Sequence, residues 1–112
     1  MSRQMRELTA ASVAPVFMAL GDATRLSLLS RLCDGQPLSI SQLTDGTRLT
    51  RQGVTKHLAI LERANVVARQ RVGRESRYSV RAEALSQASD YLAHASCQWD
   101  EAITRLRRLV EE

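Results

Sequence analysis

The sequence predicts a single, mainly α-helical domain with one small β-hairpin. Its 112 residues have the length of one domain. The pattern of apolar residues predicts four helices, and two adjacent β-like runs follow them, Val66–Val72 and Arg77–Val80. Residues 82–112 contain no Gly and no Pro, which favours one long C-terminal helix.

Two of the helices are predicted before residue 34. Apolar residues at helical spacing between positions 13 and 20 indicate the first helix, and Gly21 ends it. Asp22 then caps a second helix by accepting a backbone N–H. Residues 34–37 (DGQP) break this second helix. Its expected apolar stripe consists of Leu26, Leu29, Leu32 and Cys33.

A pair of short helices follows. Ser39 and Gln42 have the spacing of a capping box, which opens the first helix of the pair, and residues 45–46 (DG) end it. After a brief turn, Thr50 caps the second helix. Asn65 suits the left-handed conformation that often ends a helix. The expected buried residues of the second helix are Val54, Leu58 and Leu61.

The hairpin lies in the most basic part of the chain. Residues 73–76 (GRES) separate the two β-like runs and are expected to form the hairpin tip. Between Arg48 and Arg81 there are nine basic and two acidic residues, a net charge of +7, whereas the remaining residues have a net charge of −3. A basic segment on a mildly acidic body favours binding to a polyanion. A solvated, Arg-rich surface without a partner is the other interpretation.

The C-terminal segment has the spacing of a helix that pairs with another helix. Apolar residues alternate three and four positions apart over Leu85–Leu109, about 25 residues or roughly 37 Å of helix. A domain of this size is not expected to cover that length, which favours a homodimer. A helix packed only on its own domain is the alternative. The expected dimer-interface residues are Val13, Phe17, Leu85, Leu92, Trp99 and Leu106.

Two short helices followed by a basic hairpin predict a winged helix-turn-helix, whose second helix enters the DNA major groove. The buried face of that helix leaves Arg51, Gln52, Thr55 and Lys56 outside, where Arg and Gln suit purine edges and Lys suits phosphate. The expected role of the neighbouring His57 is structural, bonded to backbone, and a DNA contact is the alternative. The candidate DNA-binding residues are Ser39, Thr50, Arg51, Gln52, Thr55, Lys56, His57, Arg71, Arg74 and Arg77.

Three segments resemble the ArsR/SmtB family of transcriptional repressors. Residues 20–29 (LGDATRLSLL) are similar to the family's opening, ALADPTRLRILxLL, and residues 49–61 (LTRQGVTKHLAIL) to its recognition helix, LSQPxVSxHLxxL. Residues 71–78 (RVGRESRY) resemble its wing, RxGRxxxY. The resemblance covers residues 13–110 and implies a dimeric repressor that leaves its operator when an effector binds.

The resemblance does not extend to the family's metal sites. Arsenic- and cadmium-sensing members carry Cys-x-Cys where this chain has Ser39 and Ser41, and Ser is a poor ligand for soft metals. Zinc-sensing members use Asp/His pairs on the last helix, where this chain offers only Asp90 and His94. Residues 96–110 resemble the WxxxLxxLxxxL end of metal-independent members. We therefore expect no metal and no cofactor.

Cys33 and Cys97 leave a redox effector open. Some family members sense oxidants or persulfides with one Cys on the second helix and one on the last, and Cys97 lies at a similar place on the last helix. Cys33 lies about one turn beyond the usual place on the second helix. A reversible disulfide would tie the DNA-binding body to the dimer helix. Two inert, buried thiols are the alternative.

The predicted function is a homodimeric, sequence-specific repressor on an inverted-repeat DNA operator, released by an unidentified effector, which could be a small molecule. A repressor that senses oxidants or persulfides through Cys33 and Cys97 is the alternative. A protein-interaction module without operator binding is the rival hypothesis. No nucleophile–base pair, phosphate loop or metal cluster indicates an enzyme. Without a membrane-length apolar run or a secretory signal, the protein is expected to be cytoplasmic. We expect one domain over 1–112, with dimerisation helices at 8–20 and 82–112, a helix-turn-helix at 39–64 and a wing at 66–80.

Overall fold

The computed structural model describes residues 10–111. The predicted start of the first helix at residue 8 and the last residue of the chain, 112, lie outside this range. Within it, the expectation of a mainly helical fold with a small antiparallel sheet is confirmed. The elements in chain order are α1 (Ala10–Leu20), α2 (Ala23–Leu32), β1 (Leu38–Ser39), α3 (Ile40–Thr44), α4 (Arg51–Arg63), β2 (Val67–Val72), β3 (Glu75–Val80) and α5 (Ala82–Glu111).

The predicted capping residues start the three helices that position the site. The side chain of Asp22 accepts a hydrogen bond from the backbone N–H of Arg25, at 3.0 Å, at the start of α2. Ser39 and Gln42 form the full capping box of α3. The Thr50 hydroxyl accepts the N–H of Gly53 at the start of α4, again at 3.0 Å. Polar side chains therefore satisfy backbone donors that a helix start leaves free.

The sheet has three antiparallel strands in the order β1-β3-β2, and β1 was not predicted. Its two residues are too few for a periodic pattern, and Leu38 is held by pairing with Tyr78. The predicted hairpin tip at 73–76 is wrong, because Val72 pairs with Glu75 and leaves a two-residue turn. Gly73 has φ 64°, and a positive φ at the first turn residue lets the strands close over two residues.

The core lies between α1–α4 and the base of the sheet. On α4 the predicted residues Val54, Leu58 and Leu61 are buried. On α2 the prediction is partly wrong, since Leu26 and Cys33 are exposed and Leu28 is buried instead. Because α2 has leucines at neighbouring positions, the spacing of its apolar residues alone does not determine which side of the helix faces the core. The core cluster is Val16, Ala19, Leu28, Leu29, Leu32, Leu43, Val54, Leu58, Leu61, Val66, Val67, Tyr78 and Ala88.

The first half of α5 packs against α1, and the second half does not pack against the described part of the chain. The ring of Tyr91 lies 6.1 Å from that of Phe17, centroid to centroid. From residue 96 onward no described residue is buried, and Trp99 is 57% exposed. Val13, in contrast, is only 3% exposed within its own chain. Its side chain therefore offers little surface to a second copy, and its place in a dimer interface stays a prediction.

Candidate nucleic-acid interface

The outer face of α4 carries four polar side chains close together. Because Val54, Leu58 and Leu61 fix the buried side of the helix, the first turns present their other side to solvent. All four residues are exposed and line one shallow depression on the surface. They are Arg51, Gln52, Thr55 and Lys56. Their donors and acceptors are the types that contact base edges and phosphates in a major groove.

Arg51 is held against the preceding helix. Its Nη1 donates a hydrogen bond to the Ser41 hydroxyl of α3 over 3.3 Å. The Thr55 hydroxyl donates to the Arg51 carbonyl at 2.8 Å. This contact engages one of the five donors of the guanidinium and orients Arg51 along α3. Nothing in the sequence pattern indicated Ser41, which lies ten positions from Arg51.

Ser39 and Thr50 have structural hydroxyls. Ser39 is only 5% exposed, and its side-chain oxygen accepts the Gln42 N–H at 3.2 Å. Its burial is at odds with the expected DNA contact, because the capping box turns the hydroxyl inward. Thr50 is exposed, but its hydroxyl is engaged by Gly53. These two residues shape the helix starts, and four of the remaining candidates form the exposed face of α4.

Arg31 of α2 binds the end of α3, and the sequence analysis did not predict this role. Its guanidinium donates to three backbone carbonyls at the end of α3: Gln42 and Leu43 at 2.7 Å each and Asp45 at 3.2 Å. These acceptors lie eleven to fourteen residues away in the sequence, so no local pattern predicts them. The contact fixes the end of α3, and with it the approach of the chain to α4.

His57 lies next to two side chains at the start of the second helix. Its Nδ1 lies 3.2 Å from Nη1 of Arg25 and 3.8 Å from Oδ2 of Asp22. The expected bond to backbone within the helix-turn-helix is therefore wrong. The backbone N–H of Arg25 lowers the pKa of Asp22; partial burial opposes this shift, and the positive charge of Arg25 adds to it.

The wing, β2–turn–β3, presents its arginines on different faces. Arg71 pairs with Ser76 in the register and Arg77 with Gln70, so the alternation of a strand places Arg71 and Arg77 on opposite faces. The Arg77 Nε also lies 3.4 Å from a carboxylate oxygen of Glu75. Among residues 10–111, Arg71 and Arg74 form no ion pair, and both are exposed. Their charges are therefore the least compensated on the wing.

Both cysteines are exposed and not joined to each other, so the expectation that they are buried is wrong. Cys33 lies at a depression between α2, the end of β3 and the start of α5. Within the described range, no three His, Cys, Asp or Glu side chains are grouped as a metal site would require. No helix in that range is long and apolar enough to cross a bilayer.

Comparison with known proteins identifies the family. The family model described as a helix-turn-helix domain matches residues 20–70. A solved ArsR-like transcriptional regulator from Rhodococcus sp. RHA1 is 31% identical, with a TM-score of 0.73 over 88% of this chain and 92% of that one. The chain belongs to the ArsR family of helix-turn-helix transcriptional regulators. Like its relatives, this ArsR-type regulator is a DNA-binding protein rather than an enzyme.

Two further relatives agree with the assignment. The chain is 37% identical over 65 residues to YuzN of Bacillus subtilis (strain 168), an uncharacterized HTH-type transcriptional regulator. The match covers 53% of this chain and 71% of YuzN. Reduced HlyU from Vibrio cholerae N16961 is 25% identical, with a TM-score of 0.64 over 84% of this chain and 98% of HlyU. The likeness therefore extends over most of this ArsR-type regulator and beyond its helix-turn-helix.

Proposed function

We propose that this ArsR-type regulator is a homodimeric repressor that binds one specific operator. The observation that carries the proposal is the exposed face of α4, where Arg51, Gln52, Thr55 and Lys56 lie side by side. In a winged helix-turn-helix this helix enters the major groove. Arg51 and Gln52 supply paired donors and acceptors for purines, and Thr55 and Lys56 contact the bases or phosphates beside them.

In this proposal the wing holds the DNA backbone. Arg71 and Arg74 are exposed and unpaired among residues 10–111, so their charge is available to phosphates. Phosphate contacts release condensed counterions and therefore give affinity without sequence preference. The helix-turn-helix at 39–64 then selects the sequence, while the wing at 66–80 adds affinity for any duplex.

Dimerisation is proposed through the second half of α5, from residue 96 onward, which the described residues 10–111 leave exposed. Trp99 and Leu106 are 57% and 61% exposed, and Ile103 and Val110 continue the same apolar row. A second copy would bury this row, and two-fold symmetry would set two copies of α4 about one DNA turn, roughly 34 Å, apart. Leu92 is 44% exposed on the same helix, whereas Leu85 and Phe17 are partly buried against the core of their own chain and would contribute only their outer edges. An effector would act by favouring a dimer geometry that fits the operator poorly.

A thiol effector is a second candidate, favoured by the exposure of both Cys33 and Cys97. Hydrogen peroxide would take two electrons from the two thiolates and, with two protons, leave as two waters. A disulfide within one chain would require α5 to move, because Cys97 lies roughly 16 Å along α5 beyond the residues next to Cys33. The test compares operator affinity before and after peroxide in the wild type and in Cys33→Ser and Cys97→Ser. Loss of affinity in the wild type alone supports this candidate. Unchanged affinity in all three proteins eliminates it.

The proposal as a whole is tested by selecting binding sequences from a random DNA pool with the full-length protein. The expected result is an enriched imperfect inverted repeat, bound by two chains according to the mass of the complex in solution. Affinity for this repeat should exceed that for random DNA by about a thousandfold or more. Selection that enriches no sequence would overturn the proposal and favour the protein-interaction module.

A further inference from the structure

Three side chains connect the recognition helix α4 to the two helices before the helix-turn-helix. Arg25 of α2 donates through Nε to the carbonyl of Ala19 near the end of α1. Through Nη1 it contacts Nδ1 of His57 on α4, at 3.2 Å. Asp22 accepts the backbone N–H of Arg25 and lies 3.8 Å from the same His57 nitrogen. One guanidinium therefore contacts α1 and α4 at the same time.

The contact with Arg25 fixes the protonation of His57. A guanidinium only donates hydrogen bonds, so Nδ1 of His57 has to accept. This contact therefore requires a neutral imidazole with its proton on Nε2. Protonation at Nδ1 would remove the acceptor and bring two cations within 3.2 Å of each other.

We propose that Arg25 is a positioning residue for operator binding, which orients α4 against α1 through neutral His57. The inference rests on the proposed function, because it concerns the angle at which α4 meets DNA. Once protonated, His57 exchanges its bond to Arg25 for an ion pair with Asp22. The polar link from Arg25 to α4 is then lost, while the apolar packing of α4 on α1 remains, and the protein loses preference for its operator at acidic pH.

The elements around His57 contribute few other charges that would affect its change of partner from Arg25 to Asp22. Of the elements packed against α4, α1 (Ala10–Leu20) and α3 (Ile40–Thr44) contain no charged side chain. On β2, Arg69 pairs with Glu62 at the far end of α4, 3.6 Å away, and Arg71 lies further out on the wing. On α4 itself the adjacent charge is exposed Lys56. Asp22 and Arg25 are thus the charged groups of α2 and its cap that face His57.

A first experiment needs no DNA. Nitrogen-15 NMR of the histidine side chains at about pH 8 distinguishes the two tautomers, and the chain has only His57 and His94. His57 should carry its proton on Nε2 alone, whereas exposed His94 serves as the internal reference with mixed tautomers. In Arg25→Met, His57 should revert to the mixture of His94. A wild-type His57 that already matches His94 would overturn the proposal, whatever the protein binds.

The second experiment measures the preference for the selected operator over random DNA at about pH 8 and about pH 5, on either side of the range in which histidine normally changes charge. Wild type and the control variant His94→Gln should lose roughly fivefold to tenfold of this preference at the lower pH, as expected for one hydrogen bond. His57→Gln keeps an acceptor but cannot be protonated, so its preference should not change. Arg25→Lys cannot reach the Ala19 carbonyl and Nδ1 of His57 at the same time. At both pH values it should therefore show the reduced preference that the wild type shows at about pH 5.

The mutant pattern also separates this proposal from the proposed function. If no variant prefers any sequence, operator binding itself fails while the NMR result stands. If wild type and His57→Gln respond equally to pH, or Arg25→Lys retains full preference, the positioning role is wrong although operator binding holds. Circular dichroism at both pH values confirms that each variant is folded before its affinity is compared.

Discussion

The Nε of Arg77 lies 3.4 Å from a carboxylate oxygen of Glu75, on the face of the wing opposite to Arg71. This pair joins two residues on the same strand, one of them next to the turn, and both are about half exposed. An exposed ion pair contributes little to stability, but it neutralises a charge that would otherwise attract phosphate. The arginines of the wing are therefore unequal as DNA contacts.

We predict that Arg74→Ala weakens DNA binding more than Arg77→Ala does. Arg74 lies in the hairpin turn without an ion pair in the described range, so its loss should reduce the slope of log affinity against log salt by about one. Titrations of specific and random DNA at several salt concentrations measure this slope. Glu75→Gln is the matched control and should strengthen binding, because it frees Arg77. An Arg77→Ala effect equal to that of Arg74→Ala would contradict the inequality.

The carboxylate of Asp22 should make folding stability depend on pH in the acidic range. Its pKa is lowered in the folded state by the Arg25 N–H, so the stability it contributes is present above its unfolded value of about 4. This contribution is lost as the pH falls through the lower, folded pKa. Asp22→Asn keeps the cap but not the charge. The difference in unfolding free energy between wild type and Asp22→Asn should therefore shrink as the pH falls below about 4.

Chemical denaturation at a series of pH values measures that difference. Asp22→Ala is the second comparison, because it removes the cap itself and should destabilise the protein at every pH. A difference between wild type and Asp22→Asn that stays constant from neutral to acidic pH would show that the charge of Asp22 does not matter to the fold.

The exposed second half of α5, from residue 96 onward, leads to a prediction about dimerisation. Leu106→Glu places a charge in the middle of the apolar row and should weaken dimerisation by on the order of a hundredfold. Arg108→Glu introduces the same residue about 200° around the helix and should leave the dimer intact. Sedimentation equilibrium distinguishes the two outcomes. Equal association of both variants would place the dimer interface elsewhere.

Local contacts made much of the fold predictable. The caps at Asp22, Ser39 and Thr50, and the positive φ of 61° at Asn65, follow from side chains and backbone preferences within three or four residues. The four outward residues of α4 follow from the spacing of its apolar side. The predictions were wrong where a partner distant in the sequence decides the local structure. Leu38 lies in a strand because it pairs with Tyr78, for example, and β3 begins at Glu75 because Glu75 and Ser76 pair with β2.

The supporting contacts of the site could not be predicted for the same reason. Arg25 and His57 are separated by 32 residues, and neither has a local pattern that indicates the other. The hydrogen bond of Arg51 to Ser41 depends on the angle between two helices, which the sequence leaves undetermined. Leu26 and Leu28 are equally apolar, so only packing decides which one faces the core of the protein.

The most direct test of the central claim compares Arg51→Ala with Arg74→Ala on the selected operator and on random DNA. If α4 contacts the bases and the wing contacts the backbone, Arg51→Ala should cut the preference for the operator by about tenfold to a hundredfold. Arg74→Ala should weaken binding to both DNAs equally and leave that preference unchanged. Ser41→Ala controls for the loss of the resting partner of Arg51 and should preserve the preference. Equal losses on both DNAs for Arg51→Ala would contradict the account.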